Sequence, residues 1–131
     1  MSEVPESLRY TRDHEWLRLE DDGSVTLGIT DHAQQALGEL VYVELPEAGT
    51  ELGAGDACVV VESVKAASDV YTPVPGSITG VNDGLADTPE LVNGSPYADG
   101  WLVRLQPADA TALTELMDAE AYTRFLAESE A

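Results

Sequence analysis

The chain carries 25 acidic side chains against 6 basic ones in 131 residues, a formal charge of −19. Such a field repels phosphate backbones and anionic lipid, which excludes nucleic-acid and membrane-surface binding as first readings. The length suffices to bury a core without metals or disulfides, and a hydrophobic fraction of 44% is that of a folded chain.

Taken in chain order, the N-terminal MSEVPESLRY has neither the apolar run of a signal peptide nor the Arg-rich character of an organellar presequence. No apolar stretch approaches membrane-spanning length, and a cytoplasmic protein is expected. Residues 16–19 and 25–29 flank Asp21-Asp22-Gly23-Ser24, a predicted hairpin. Thr30 or Asp31 caps a short helix at 33–37 that Gly38 ends. A strand over 40–45 is closed by Pro46, and 53–56 form a turn. Residues 57–62 and 67–71 are two strands parted by a few residues around Val64 and Lys65, which is hairpin spacing. Pro73 and Pro75 interrupt pairing, 77–81 resumes it, and after a looser Gly-, Asn- and Pro-rich segment, 82–100, residues 101–105 end the β region. The period then changes to three and four, through Leu113, Leu116 and Met117 and then Tyr122, Phe125 and Leu126. Asp109 and Asp118 are placed to cap two short helices that pack on the β body.

The chain also repeats itself. GELVYV (38–43) aligns with GSITGV (76–81), and ELGAGD (51–56) with ELVNGS (90–95). Each second segment runs into an apolar strand, 57–61 and 101–105. Two similar β units bracketing a hairpin predict a mainly β fold, two small sheets facing each other as a flattened barrel with approximate twofold symmetry. Short helices and a C-terminal helical extension complete it. One domain over 1–131 is expected, with its core at about 20–105 and the extension at about 108–127.

Lys65 is the only lysine; Arg9, Arg12, Arg18, Arg104 and Arg124 supply the remaining basic groups. Composition leaves two readings of it open, a solvated turn lysine and an amine mounted where another enzyme acylates it. With a short acyl group the side chain would span ~14 Å, enough to visit a neighbour's active site. His14, in the run Asp13-His14-Glu15, and His32 are 18 residues apart, without the spacing of a metal site. No nucleophile elbow, phosphate loop or dinucleotide fingerprint is present. These residues argue for a carrier rather than a catalyst. Cys58, in the apolar run 57–61, has the usual setting of a small buried hydrophobe. A small thiol redox protein acting through Cys58 is the rival from the enzyme class.

Six segments in order, YTRDHEW (10–16), GITDHAQ (28–34), LGELVYVELP (37–46), VESVKAASDVY (61–71), LVNGSPYADGWL (91–102) and YTRFL (122–126), resemble the H-protein family of the glycine cleavage system nearly end to end. The resemblance implies the barrel-sandwich hybrid fold of lipoyl and biotinyl domains, and lipoate carried in amide linkage on Lys65. Val64 and Ala66 flank that lysine where biotin-carrying domains typically have Met. It further implies a carrier without turnover of its own. The arm would take an aminomethyl group from a pyridoxal-phosphate glycine decarboxylase (P protein) to a tetrahydrofolate-dependent aminomethyltransferase (T protein). A dihydrolipoyl dehydrogenase (L protein) would reoxidise it, and a lipoate-attaching enzyme is a fourth partner. A carboxylate near the loaded arm would hold the cationic amine by a charge-assisted hydrogen bond. By resemblance Glu15 and Asp69 are the candidates for that pocket, with His32 as a third. A lipoate donor that relays lipoyl groups to other lipoyl domains needs the same lysine and stays open as an alternative.

Overall fold

The structure is a computed structural model, in which residues 4–108, 113 and 116–130 are described. Its strands are β1 (Arg9–Tyr10), β2 (Glu15–Leu19), β3 (Val25–Ile29), β4 (Leu40–Glu44), β5 (Glu51–Leu52), β6 (Ala57–Ser63), β7 (Ala67–Tyr71), β8 (Gly76–Val81) and β9 (Val103–Pro107). Its helices are α1 (Asp31–Leu37), α2 (Gly84–Asp87), α3 (Leu91–Gly94) and α4 (Ala119–Glu130). The strands form two antiparallel sheets, one of six in the order β1-β2-β3-β9-β8-β5 and one of three in the order β4-β6-β7. Backbone pairing does not close them into a barrel. They face each other across a core that includes Leu27, Val43, Val61, Ile78 and Leu105. Period-two patterning sets which side faces in: in β9, Val103 and Leu105 are buried while Arg104 and Gln106 are exposed.

The internal repeat is visible in the pairing. β4 pairs with β6 and β8 with β9, both antiparallel, and each pair carries a register shift, between Leu40 and Tyr42 in the first and between Ile78 and Gly80 in the second. Aligning Gly38 with Gly76 places Leu40 on Ile78 and Tyr42 on Gly80, so the two bulges occupy equivalent positions. A bulge bends its strand and increases local twist, and two in matched places curve the sheets alike. The short β5, read from sequence only as part of the repeated segment 51–56, crosses from the first unit to pair with β8 (Glu51↔Ser77) and interlocks the halves.

A second apolar cluster lies outside the sandwich. Tyr10, Trp16, Leu8, Tyr122 and Leu126 are buried between the six-stranded sheet and α4. Asp118 caps this helix as expected, its Oδ1 accepting from Ala121 N at 2.8 Å. The other expected cap, Asp109, lies outside the described residues. Met117 departs from the predicted helix and exchanges backbone hydrogen bonds with Tyr10 at 2.8 and 3.0 Å. Pairing with the end of β1 outweighs the helical period there. In the segment read as loose, Leu85 and Val92 each anchor a one-turn helix by full burial.

β3 is buried along its whole length, its outer face covered by Trp16 at Gly28 and by Glu20 and Arg104 at Thr26. Trp16 and Gly28 are cross-strand partners, and a Cβ on Gly28 would stand 2.6 Å from three atoms of the indole. The indole is also pinned from outside, its Nε1 donating to Pro96 O at 2.9 Å. Replacing Gly28 by Ala forces one of them to move. Gly28→Ala is expected to lower the unfolding free energy by about 2 kcal/mol, read from urea denaturation followed by tryptophan fluorescence.

Candidate functional site

Lys65 is the middle residue of a three-residue loop, Val64 to Ala66, between β6 and β7. Hairpin loops of this length ordinarily close with one residue of positive φ, which non-glycine residues seldom adopt. Among the described non-glycine residues only His14 has it, so Val64 and Lys65 turn by other means. Ser63 supplies them: its N–H donates to Ala66 O at 2.7 Å, and its Oγ accepts from Ala66 N at 3.1 Å and Lys65 N at 3.3 Å. Val64 N donates to Glu39 O at 3.2 Å and ties the tip to the start of β4. The result is a short, braced mount on which Lys65 is exposed and Val64 is 70% exposed beside it.

The lysine stem lies over the end of α1. A Cβ on Gly38, the C-cap, would stand 3.1 Å from Lys65 Cε. Gly38 has φ of 83°, and the absent side chain is what leaves room for the stem. The preceding residue, Leu37, lines a cleft of about 190 Å³ between α1, the start of β2 and β7. Ala33, Ala36, Ile29 and Val70 give it an apolar wall, and Asp13, Glu15 and Asp69 bring carboxyl groups to it. Of the sequence candidates, the fold therefore brings Glu15 and Asp69 together. His32 is not among the lining residues; its ring lies 4.5 Å from that of His14.

Glu15 opens β2 and is 2% exposed. Its Oε1 accepts from Thr11 Oγ1 at 3.0 Å, and its Oε2 from the N–H of Tyr71 at 2.6 Å. Burial raises its pKa from 4.5 to about 7, against the opposing pull of those two donors. The turn that delivers Glu15 is held by Thr11 Oγ1, which accepts from the N–H of Asp13 and of Glu15, both at 3.2 Å. It passes through the left-handed His14 (φ 67°). The His14 imidazole is held below its ordinary value by burial and by the neighbouring His32. Nothing in the sequence pointed to Ala33 and Ala36 as parts of this cleft, which come from one face of a short helix, or to Thr11, which holds the turn beside it.

Cys58 is not available for thiol chemistry. It is buried, its Sγ–H donates to Val70 O at 3.3 Å, and burial together with the nearby Glu15 pushes the thiol up to about 12. A thiolate is the reactive form, and at that value it is effectively absent near neutrality. The redox rival is set aside on this ground.

Two small sheets that hold out one amine on a braced hairpin, beside a narrow cleft, define a compact β protein built to present a side chain. Comparison with known proteins gives the family. The sequence profile described as "Glycine cleavage H-protein" matches residues 8–129. The glycine cleavage system H protein of Halorhodospira halophila is 61% identical over 128 residues, covering 98% of both chains. That of Enterobacter sp. is 56% identical over 126 residues, covering 96% of this chain and 98% of the relative. A crystal structure of a glycine cleavage system H protein from Mycobacterium marinum superposes with a TM-score of 0.85 at 38% identity, over 98% of this chain and all of that one. The chain belongs to the glycine cleavage H-protein family.

The buried carboxyl group sets a pH dependence of stability. Its folded-state value lies above its unfolded one, so its contribution is fully present below pH 4.5 and is lost as pH rises through about 7, an amount of about 3 kcal/mol. His14 acts in the opposite sense, because a lowered histidine loses stability as pH falls below its unfolded value. Glu15→Gln separates the two, keeping an acceptor for Tyr71 while removing the ionisation. It is expected to be more stable than the parent at pH 8 and to lose that advantage by pH 5, measured by chemical denaturation across the range.

Proposed function

We propose that the chain is a single lipoyl-binding unit that carries lipoate in amide linkage on Lys65 and moves the aminomethyl group of glycine between the enzymes of the glycine cleavage system. The observation that carries this reading is the only lysine of the chain, exposed on a three-residue loop that its neighbours brace. The residues suit the group: an exposed amine on a rigid hairpin admits a lipoate-attaching enzyme, and the cleft beside it combines an apolar wall with carboxyl groups. Bound there, lipoate supplies a dithiolane that accepts the aminomethyl cargo reductively and is reoxidised once the cargo has left.

What the chain contributes is presentation and protection. The short turn limits the directions in which the arm leaves the surface, which favours its entry into a partner's active site. Val64 offers a partner an apolar contact next to the amine. The charge of −19 favours docking surfaces rich in Lys and Arg on the P, T and L proteins and on the lipoate-attaching enzyme. When the cargo's cationic amine enters the cleft, Glu15 meets it as a carboxylate, since a positive charge nearby favours the ionised form. Its oxygens keep acceptor capacity beyond the bonds from Thr11 and Tyr71. Asp69 serves as the second acceptor from the opposite wall.

Two measurements check this. The intact mass of the chain purified from cells supplied with lipoate is expected to show one lipoyl increment, and Lys65→Arg none; an unmodified parent after treatment with an active lipoate ligase removes the carrier reading, and a glycine exchange assay with the P protein decides the pathway. With the arm loaded, Glu15→Ala is expected to speed the release of formaldehyde by roughly ten- to hundredfold; an unchanged lifetime takes Glu15 out of the role.

A further inference from the structure

The two walls of the cleft are joined behind it by one hydroxyl group on α4. Tyr122 Oη lies 2.8 Å from Thr30 Oγ1 and 2.8 Å from His14 Nδ1. Thr30 is the N-cap of α1 and accepts from Ala33 N at 3.2 Å; that helix supplies Ala33, Ala36 and Leu37 to one wall. His14 is the left-handed residue of the turn that supplies Asp13 and Glu15 to the other. A hydroxyl has one proton to give and lone pairs to accept with, so Tyr122 donates to one of these partners and accepts from the other. The walls also touch directly, Thr30 N donating to His14 O at 3.0 Å. Tyr122 itself is fully buried, and its ring stacks on Tyr10 at 4.6 Å with planes 4° apart. Its position is set by the second apolar cluster, not by the cleft.

We propose that Tyr122 is a positioning residue for the arm: its hydroxyl clamps the turn carrying Glu15 to the cap of α1 and so sets the width of the cleft that shelters the loaded arm. The proposal rests on the carrier reading above. A left-handed, non-glycine residue is held only where its surroundings over-determine it, and His14 is held by the Tyr122 hydroxyl, the Thr30 amide and the Thr11 carbonyl. Removing the first of these leaves the turn freer to open away from α1. Water then reaches the loaded arm and releases formaldehyde and ammonia, leaving the thiol. The C-terminal helix, distant in sequence from both walls, acquires in this way a part in protecting the cargo.

The test is Tyr122→Phe in the full-length chain, which keeps the stacked ring and loses only the hydroxyl, beside Ile78→Val, a core truncation away from the cleft with a comparable loss of stability. On the unmodified proteins, amide hydrogen exchange is read at Thr30, Ala33 and Tyr71, whose N–H groups bond to His14, Thr30 and Glu15 respectively. On the lipoylated proteins, loaded by glycine and its decarboxylase, formaldehyde release is timed. Tyr122→Phe is expected to accelerate both by roughly five- to tenfold, the scale of one lost buried hydrogen bond, and Ile78→Val neither. Unchanged exchange at the three amides overturns the clamp, and faster exchange with an unchanged arm lifetime overturns its role in positioning. A parent chain that takes up no aminomethyl group refutes the carrier reading, and the exchange comparison on unmodified protein still decides the clamp.

Discussion

One buried carboxyl group holds the two sheets in the relation on which the cleft depends. Glu15 is the first residue of β2 in the six-stranded sheet, and its Oε2 accepts from the backbone N–H of Tyr71, the last residue of β7 in the three-stranded sheet. Tyr71 ends an edge strand, where an outward N–H has no neighbouring strand to meet, and the carboxyl group takes that place. The arrangement is costly to ionise, because burial removes water from the charge. It is tolerated because two donors are already aimed at the oxygens. The same group thus acts as a structural acceptor whose titration lies near neutrality, at about 7.

Around this link the molecule divides its work between a stiff tip and a shaped hollow. The loop from Val64 to Ala66 is stiff because Ser63 bonds to it from both main chain and side chain, and because Val64 is tied to Glu39. The hollow is shaped by parts that come from far apart in the chain: a turn at 11–15, the face of α1, and β7. Few of the acidic side chains are neutralised internally. Among the described residues the ion pair is Arg18 with Glu20 at 2.9 Å, so the surface keeps a strongly negative field.

Much of this architecture was legible in the residues, for local reasons. β7 was predicted with its observed bounds, since Lys65 and Pro73 bracket a short apolar alternation. Thr30 or Asp31 was expected to cap α1; Thr30 does so, and Asp31 instead accepts from Gln34 and Gln35 with its two carboxylate oxygens. The internal repeat predicted two alike units, and the matched bulges between Leu40 and Tyr42 and between Ile78 and Gly80 show it in the backbone. The misses have a common cause. β1 and β5 are two-residue strands that exist only because a partner strand is alongside, and Met117 leaves its helical period to pair with Tyr10. Such pairings are long-range, and no window of sequence contains them.

The sequence by itself determined that Lys65 is singular and lies at a hairpin, that the body is two facing sheets of related units, and that the tail is helical. These follow from composition, period and turn residues, which act over a few neighbours. Tertiary structure alone decided that Glu15 and Asp69 share a cleft while His32 stands behind His14, that Cys58 is inert, and that Tyr122 reaches both walls. Each of those depends on the desolvation and hydrogen-bond partners that a side chain meets only after segments distant in the chain have packed together.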